Sequence, residues 1–183
     1  MKKISLALLA LGFLSITFQS CTTDPCKDKS ATTLCSGKGT LVSNTNSCDC
    51  SCNVPNWGTD CSKTYNGTYA ASADSYNGNA KNPYNVTLSI VSTSVGNSVT
   101  LIGAFPYVYG GAGQTFTGSL SSDGKTITIP EQDPSNPSLG YKISAVGTIT
   151  NNGSKGLVTW STVTVKQTSS GNTLPITGSW LQN

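Results

Sequence analysis

The sequence predicts a mainly β protein, a small disulfide-rich module followed by an antiparallel β meander that forms a small barrel or a sandwich. Three observations predict it. All seven cysteines precede Ser62. From Thr64 onward, β-branched and aromatic residues alternate with polar ones between closely spaced turn residues. Beyond the first 20 residues, no run of about ten residues carries a helical period.

The chain opens MKKISLALLALGFLSITFQSC. Two lysines, an apolar run from Ile4 to Phe18 and small polar residues describe a secretory signal peptide over residues 1–20. The run is shorter than the roughly 20 residues of a membrane-spanning helix. Phe18-Gln19-Ser20-Cys21 resembles the lipobox of bacterial lipoproteins, with Phe18 where that family prefers Leu. The resemblance implies that Cys21 becomes the acylated first residue, with residues 21–25 as a lipidated tether. Palmitate and its companion chains would then hold the protein on the membrane, since several acyl chains anchor stably where one does not. Cysteine parity agrees, because spending Cys21 on lipid leaves an even set of six. The expected location is the cell envelope, exported and anchored at the outer membrane.

Residues 26–62 hold Cys26, Cys35, Cys48, Cys50, Cys52 and Cys61. Clustered thiols can bind zinc, do redox work or form disulfides. Export favours disulfides. The chain has no histidine, and Cys-x-Cys-x-Cys is not the usual zinc spacing, so no metal is expected. The segment from Cys50 through Trp57-Gly58 to Cys61 resembles the C-terminal half of an EGF-like domain, and Cys35-Ser-Gly-Lys-Gly-Thr is similar to an earlier part of that family. Leu41 stands where members often carry a cysteine, and Cys48 takes its place. The resemblance implies Cys26–Cys48, Cys35–Cys50 and Cys52–Cys61. Thr22-Thr23-Asp24-Pro25 offers one carboxylate, too few for a calcium ion that takes six to eight oxygens. The module reads as a spacer or a protein-contact surface.

Residues 64–183 are long enough for one domain with its own core. Alternation runs through YNVTLSIV, SVTLI, QTFTGSL, KTITIP, YKISAVGTI and VTWSTVTVK, with Asp123-Gly124 and Asn152-Gly153 as hairpin signals between them. The segments Gly67-Thr68-Tyr69, Thr126–Gln132 and Gly147-Thr148-Ile149 resemble those of short all-β domains in bacterial envelope lipoproteins, which implies a lipocalin-like barrel.

Catalytic residue types are scarce. Without histidine, Ser-His and Cys-His nucleophiles are excluded. Glu131 and Asp133 could form a carboxylate pair, but Pro130 and Pro134 bracket them and suggest a solvated strand end. No cofactor motif is present, and no enzyme is expected. The cationic side chains are all lysine. Without Lys2 and Lys3, nine lysines face eight carboxylates, a sum of +1. That balance disfavours nucleic acid. In FPYVYGGAGQ, the rings of Phe105, Tyr107 and Tyr109 would share one face of an extended strand. They are expected to fill the core or to form a stacking platform for a ligand. The function expected is non-enzymatic binding or adhesion to a glycan or protein, with carriage of a small apolar or sugar ligand as the alternative.

Overall fold

The computed structural model describes residues 24–71, 74–108, 113–134 and 140–183. Residues 1–20, where a leader is expected, Cys21, where acylation is expected, and Tyr109 lie outside them.

The N-terminal module contains a short helix α1 (Ala31–Leu34) and two hairpins, β1 (Gly39–Ser43) with β2 (Cys48–Cys52), and β3 (Asn56–Trp57) with β4 (Lys63–Thr64). Cys26 is bonded to Cys48, Cys35 to Cys50 and Cys52 to Cys61, the same pairs that the EGF-like resemblance implies. Cys35 and Cys61 are fully buried. The bridges matter because so short a segment buries little apolar surface of its own.

The larger domain is a closed antiparallel barrel of eight strands. They are β5 (Gly67–Ala71), β8 (Tyr84–Thr93), β9 (Gly96–Ala104), β10 (Gln114–Leu120), β11 (Thr126–Gln132), β12 (Tyr141–Asn152), β13 (Lys155–Gln167) and β14 (Thr173–Gln182). Neighbours in sequence pair around the wall, and β14 closes it against β5 through Trp180↔Ala71 and Gln182↔Tyr69. A small hairpin, β6 (Ser75–Tyr76) with β7 (Asn79–Ala80), prolongs the β5 side along β14 through Tyr76↔Ile176.

Alternation decides which side chains point inward. On β8, Val86, Leu88 and Ile90 are buried while Thr87 is exposed. The interior is apolar and the wall outside is rich in hydroxyls, the reverse of a lipid-facing barrel. Eight strands enclose a space that side chains can just fill or that can hold one small ligand. Here rings occupy the centre. Trp160 and Trp180 lie 4.8 Å apart, and Phe105 lies 5.4 Å from Trp180, 6.0 Å from Phe116 and 6.2 Å from Trp160. Gly147 on β12 admits this cluster, since a methyl there would sit 2.6 Å from Trp160 Cε3. Register shifts on four strand pairs, including Val146/Gly147 and Trp160/Val163, mark bulges that bend the wall.

The module is docked on one end of the barrel. Val54 packs against the barrel core, and its carbonyl accepts from Ser92 Oγ at 2.9 Å. Trp57 stacks on Tyr65 at 5.7 Å, and Tyr65 Oη donates to Asn151 Oδ1 at 2.7 Å. At the same end Gln182 joins the last strand to the linker, donating from Nε2 to the Thr64 and Asn66 carbonyls and accepting Gly156 N–H at 2.8 Å. The opposite end, where β8, β10, β12 and β14 begin, is the far end.

Candidate functional site

At the far end, a buried carboxylate collects three donors. Asp74 follows β5 and begins the β6–β7 hairpin. The Asn77-Gly78 turn has positive φ at both residues, the pair that a two-residue hairpin needs. Lys81 N–H donates to the Asp74 carbonyl at 2.9 Å and closes the hairpin. The Asp74 side chain turns inward over Gly178 of β14, where any Cβ would overlap its Oδ1. Its exposure is 1 %.

Tyr84 Oη donates to Asp74 Oδ2 at 2.6 Å and Tyr107 Oη donates to the same oxygen at 2.9 Å. Trp180 Nε1 donates to Oδ1 at 3.1 Å. These bonds tie β8, the β9–β10 connection and β14 to one carboxyl group. None of these partners is cationic, so burial raises the Asp74 pKa above the carboxylate value of 3.8 even though the three hydrogen bonds pull it down. Burial, and next the Asp74 charge, push both tyrosine hydroxyls well above the ordinary phenol range.

Outside this network lies a cleft of about 390 Å³, lined by Lys81, Asn82, Pro83, Tyr84, Pro106 and Tyr107. The tyrosine hydroxyls point away to Asp74. The cleft is therefore bounded by ring and proline carbon, with Lys81 and Asn82 at its polar rim. Tyr76 extends the aromatic surface, 5.8 Å from Tyr107, and carries the Lys81 ammonium 5.6 Å above its own ring. Such an apolar concavity with a few polar groups is the ordinary form of a small-ligand site.

The sequence-predicted aromatic row is divided by the structure. β9 ends at Ala104, and residues 105–108 form a turn in which Val108 N–H donates to the Phe105 carbonyl at 3.1 Å. Pro106 lacks an N–H for the ladder, and Phe105 takes φ +51°. The segment is not extended, so the two rings do not share a strand face. Phe105 enters the core, and Tyr107 lines the cleft. Glu131 and Asp133 are half-exposed and each faces a lysine, Lys166 at 3.6 Å and Lys142 at 3.7 Å. They form no enclosed pair. Sequence reasoning missed Asp74 and its link to Tyr84 and Trp180. The one available signal was an aspartate among small residues in a domain poor in carboxylates.

Among the described residues there is no cluster of metal-ligating side chains and no helix long and apolar enough to cross a membrane. No family model, no curated protein and no solved structure matches the chain.

Proposed function

We propose that this is an exported, lipid-anchored binding protein of the cell envelope that takes its ligand at the far end of the barrel. The observation that carries the reading is the ring-lined cleft formed by Tyr84, Pro106 and Tyr107 at the end opposite the disulfide module. Acylation at Cys21 would put the membrane on the module's side of the chain. The module, with its EGF-like cysteine pattern, then serves as a docked spacer that holds the cleft outward. Its role is presentation, and that of the barrel is contact with a glycan or protein.

A carrier role is the second reading, supported by the eight-stranded barrel itself. With Phe105, Phe116, Trp160 and Trp180 in the centre, a carried ligand would sit at the same mouth. Native mass spectrometry of the chain purified from membranes separates the two, since a carrier retains a small apolar or sugar ligand.

Orientation tests the binding reading. Beads are coated with the chain from Cys21 onward, coupled through the Cys21 thiol or, in a Cys21→Ser chain, through a Ser170→Cys variant at the far end. They are applied to surfaces bearing envelope polysaccharide or matrix proteins. Coupling through Cys21 should give adhesion, and coupling through residue 170 should remove it. Equal adhesion in both orientations refutes a far-end site. Mass analysis of the N-terminal peptide should find acyl chains on Cys21, and an unmodified thiol refutes the anchor.

A further inference from the structure

We infer that the far-end cleft takes an uncharged saccharide, with the apolar face of one pyranose ring laid on Tyr107, the Tyr84 ring standing at 73° to it as a side wall, and its hydroxyls reaching Lys81 and Asn82. The inference rests on the binding reading above and narrows it to a ligand class.

Two observations carry it. The first is the chemistry of the lining. Tyr84 and Tyr107 commit their hydroxyls to Asp74, so the cleft meets ring carbon, with the two rings at 73° to each other. Flat amphipathic rings of this kind suit a ligand with one apolar and one polar side. The C–H face of a pyranose and its equatorial hydroxyls match that division, with Lys81 and Asn82 as rim donors. A wholly apolar ligand would leave the rim groups without use.

The second is the charge balance. Asp74, Glu131 and Asp133 are the carboxylates of the far end. Lys81, Lys142 and Lys166 are its cations, with Glu131 and Asp133 already facing Lys166 and Lys142. The charge beside the cleft is the Lys81 ammonium, held over Tyr76, with the Asp74 carboxyl behind the rings. A polyanion would meet one lysine and a buried carboxylate. A cationic ligand would meet Lys81. Neither finds a complementary field, and an uncharged ligand needs none.

The test is calorimetric titration of the chain from Cys21 onward with cellohexaose, mannohexaose and maltohexaose, and with an oligogalacturonate as the charged comparator. At least one neutral hexasaccharide should bind, with a Kd that stays within about twofold between roughly 50 and 500 mM salt, as expected where no charges pair. Tyr107→Ala should weaken binding about tenfold. Asn82→Ala, at an exposed rim position clear of the Asp74 network, should weaken it about threefold. The second variant keeps the test valid if the first fails to fold. Thr117→Ala on the outer wall should leave Kd unchanged. Salt-sensitive binding of oligogalacturonate alone, lost in Tyr107→Ala, overturns the neutral-sugar inference and keeps the cleft. Binding that neither cleft variant alters overturns the cleft reading itself. Absence of binding by all the hexasaccharides up to about 10 mM overturns the sugar inference.

Discussion

Replacing Asp74 separates the two things it does, accepting hydrogen bonds and carrying charge. In Asp74→Ala, Trp180 Nε1–H loses its acceptor on a residue with 0 % exposure, at a cost of about 1–3 kcal/mol for an unpaired buried donor. Tyr84 and Tyr107 lose the same acceptor behind their rings, and each adds roughly 0.5–1 kcal/mol. Against this, the variant no longer buries a carboxyl group that has no cationic partner. The net expectation near pH 7 is a loss of about 1–3 kcal/mol in denaturant unfolding. Asp74→Asn keeps one acceptor oxygen for the two tyrosines but turns an amide N–H₂ toward the indole, so its loss should be smaller. The pH dependence is the sharper signature. The carboxyl binds its proton more tightly folded than unfolded, because burial raises its pKa above 3.8. Its contribution to stability is therefore fully present below 3.8 and is lost as pH rises through the raised folded value. Wild type should gain stability as pH falls toward 4, and neither variant should. Equal pH profiles for wild type and Asp74→Asn, or an Asp74→Ala loss under about 0.5 kcal/mol, would refute this account of the network.

Gly178→Ala should disrupt the same network, because the added methyl overlaps Asp74 Oδ1. A double-mutant cycle with Asp74→Ala should show a coupling of about 1–3 kcal/mol, and strict additivity would contradict the shared site. Removing the Cys52–Cys61 bridge, which closes a nine-residue separation, should cost the module about 2–3 kcal/mol by chain entropy. Loss of Trp57 fluorescence at a temperature where the barrel's far-ultraviolet signal persists would show it. Below pH 3.8 the trend should reverse. Asp24, Asp60 and Asp123 are held below that value first by the Ser43, Ser62 and Ser121 hydroxyls. Their contribution is lost as pH falls through their lowered values. Amide exchange at Cys26, Ser62 and Lys125, which donate to these carboxylates, should accelerate there first.

Six barrel strands were legible because their alternation is regular and their ends carry turn residues. β10 coincides with QTFTGSL, and Gly124 and Gly153 take the positive φ of +71° and +61° that their hairpin dipeptides suggest. Two of the motif glycines gain a physical reason. Gly147 makes room for Trp160, and Gly67 takes φ +151° at the entry of β5. The strand Thr173–Gln182 was hidden by its own punctuation. Pro175 and Gly178 read as breakers, yet Pro175 pairs with Thr164 and Gly178 accommodates Asp74. The closure between β14 and β5 joins the two ends of the domain in sequence, which no local pattern encodes. Barrel rather than sandwich was decided there. The candidate site was half visible. Tyr107 stood out as one of a row, but its neighbour in space is Asp74, brought to it by a hairpin and a turn that lie outside any single periodic segment.

The far-end binding claim is tested most directly by the three indole N–H resonances of the native chain. Trp180 bonds to Asp74 at the far end, Trp160 lies in the core, and Trp57 of the module packs on Tyr65. On titration with a hexasaccharide that binds, the Trp180 N–H should shift with the binding curve while the Trp57 N–H stays in place. A shift at Trp57 with Trp180 unmoved would put the ligand at the module end and contradict the account.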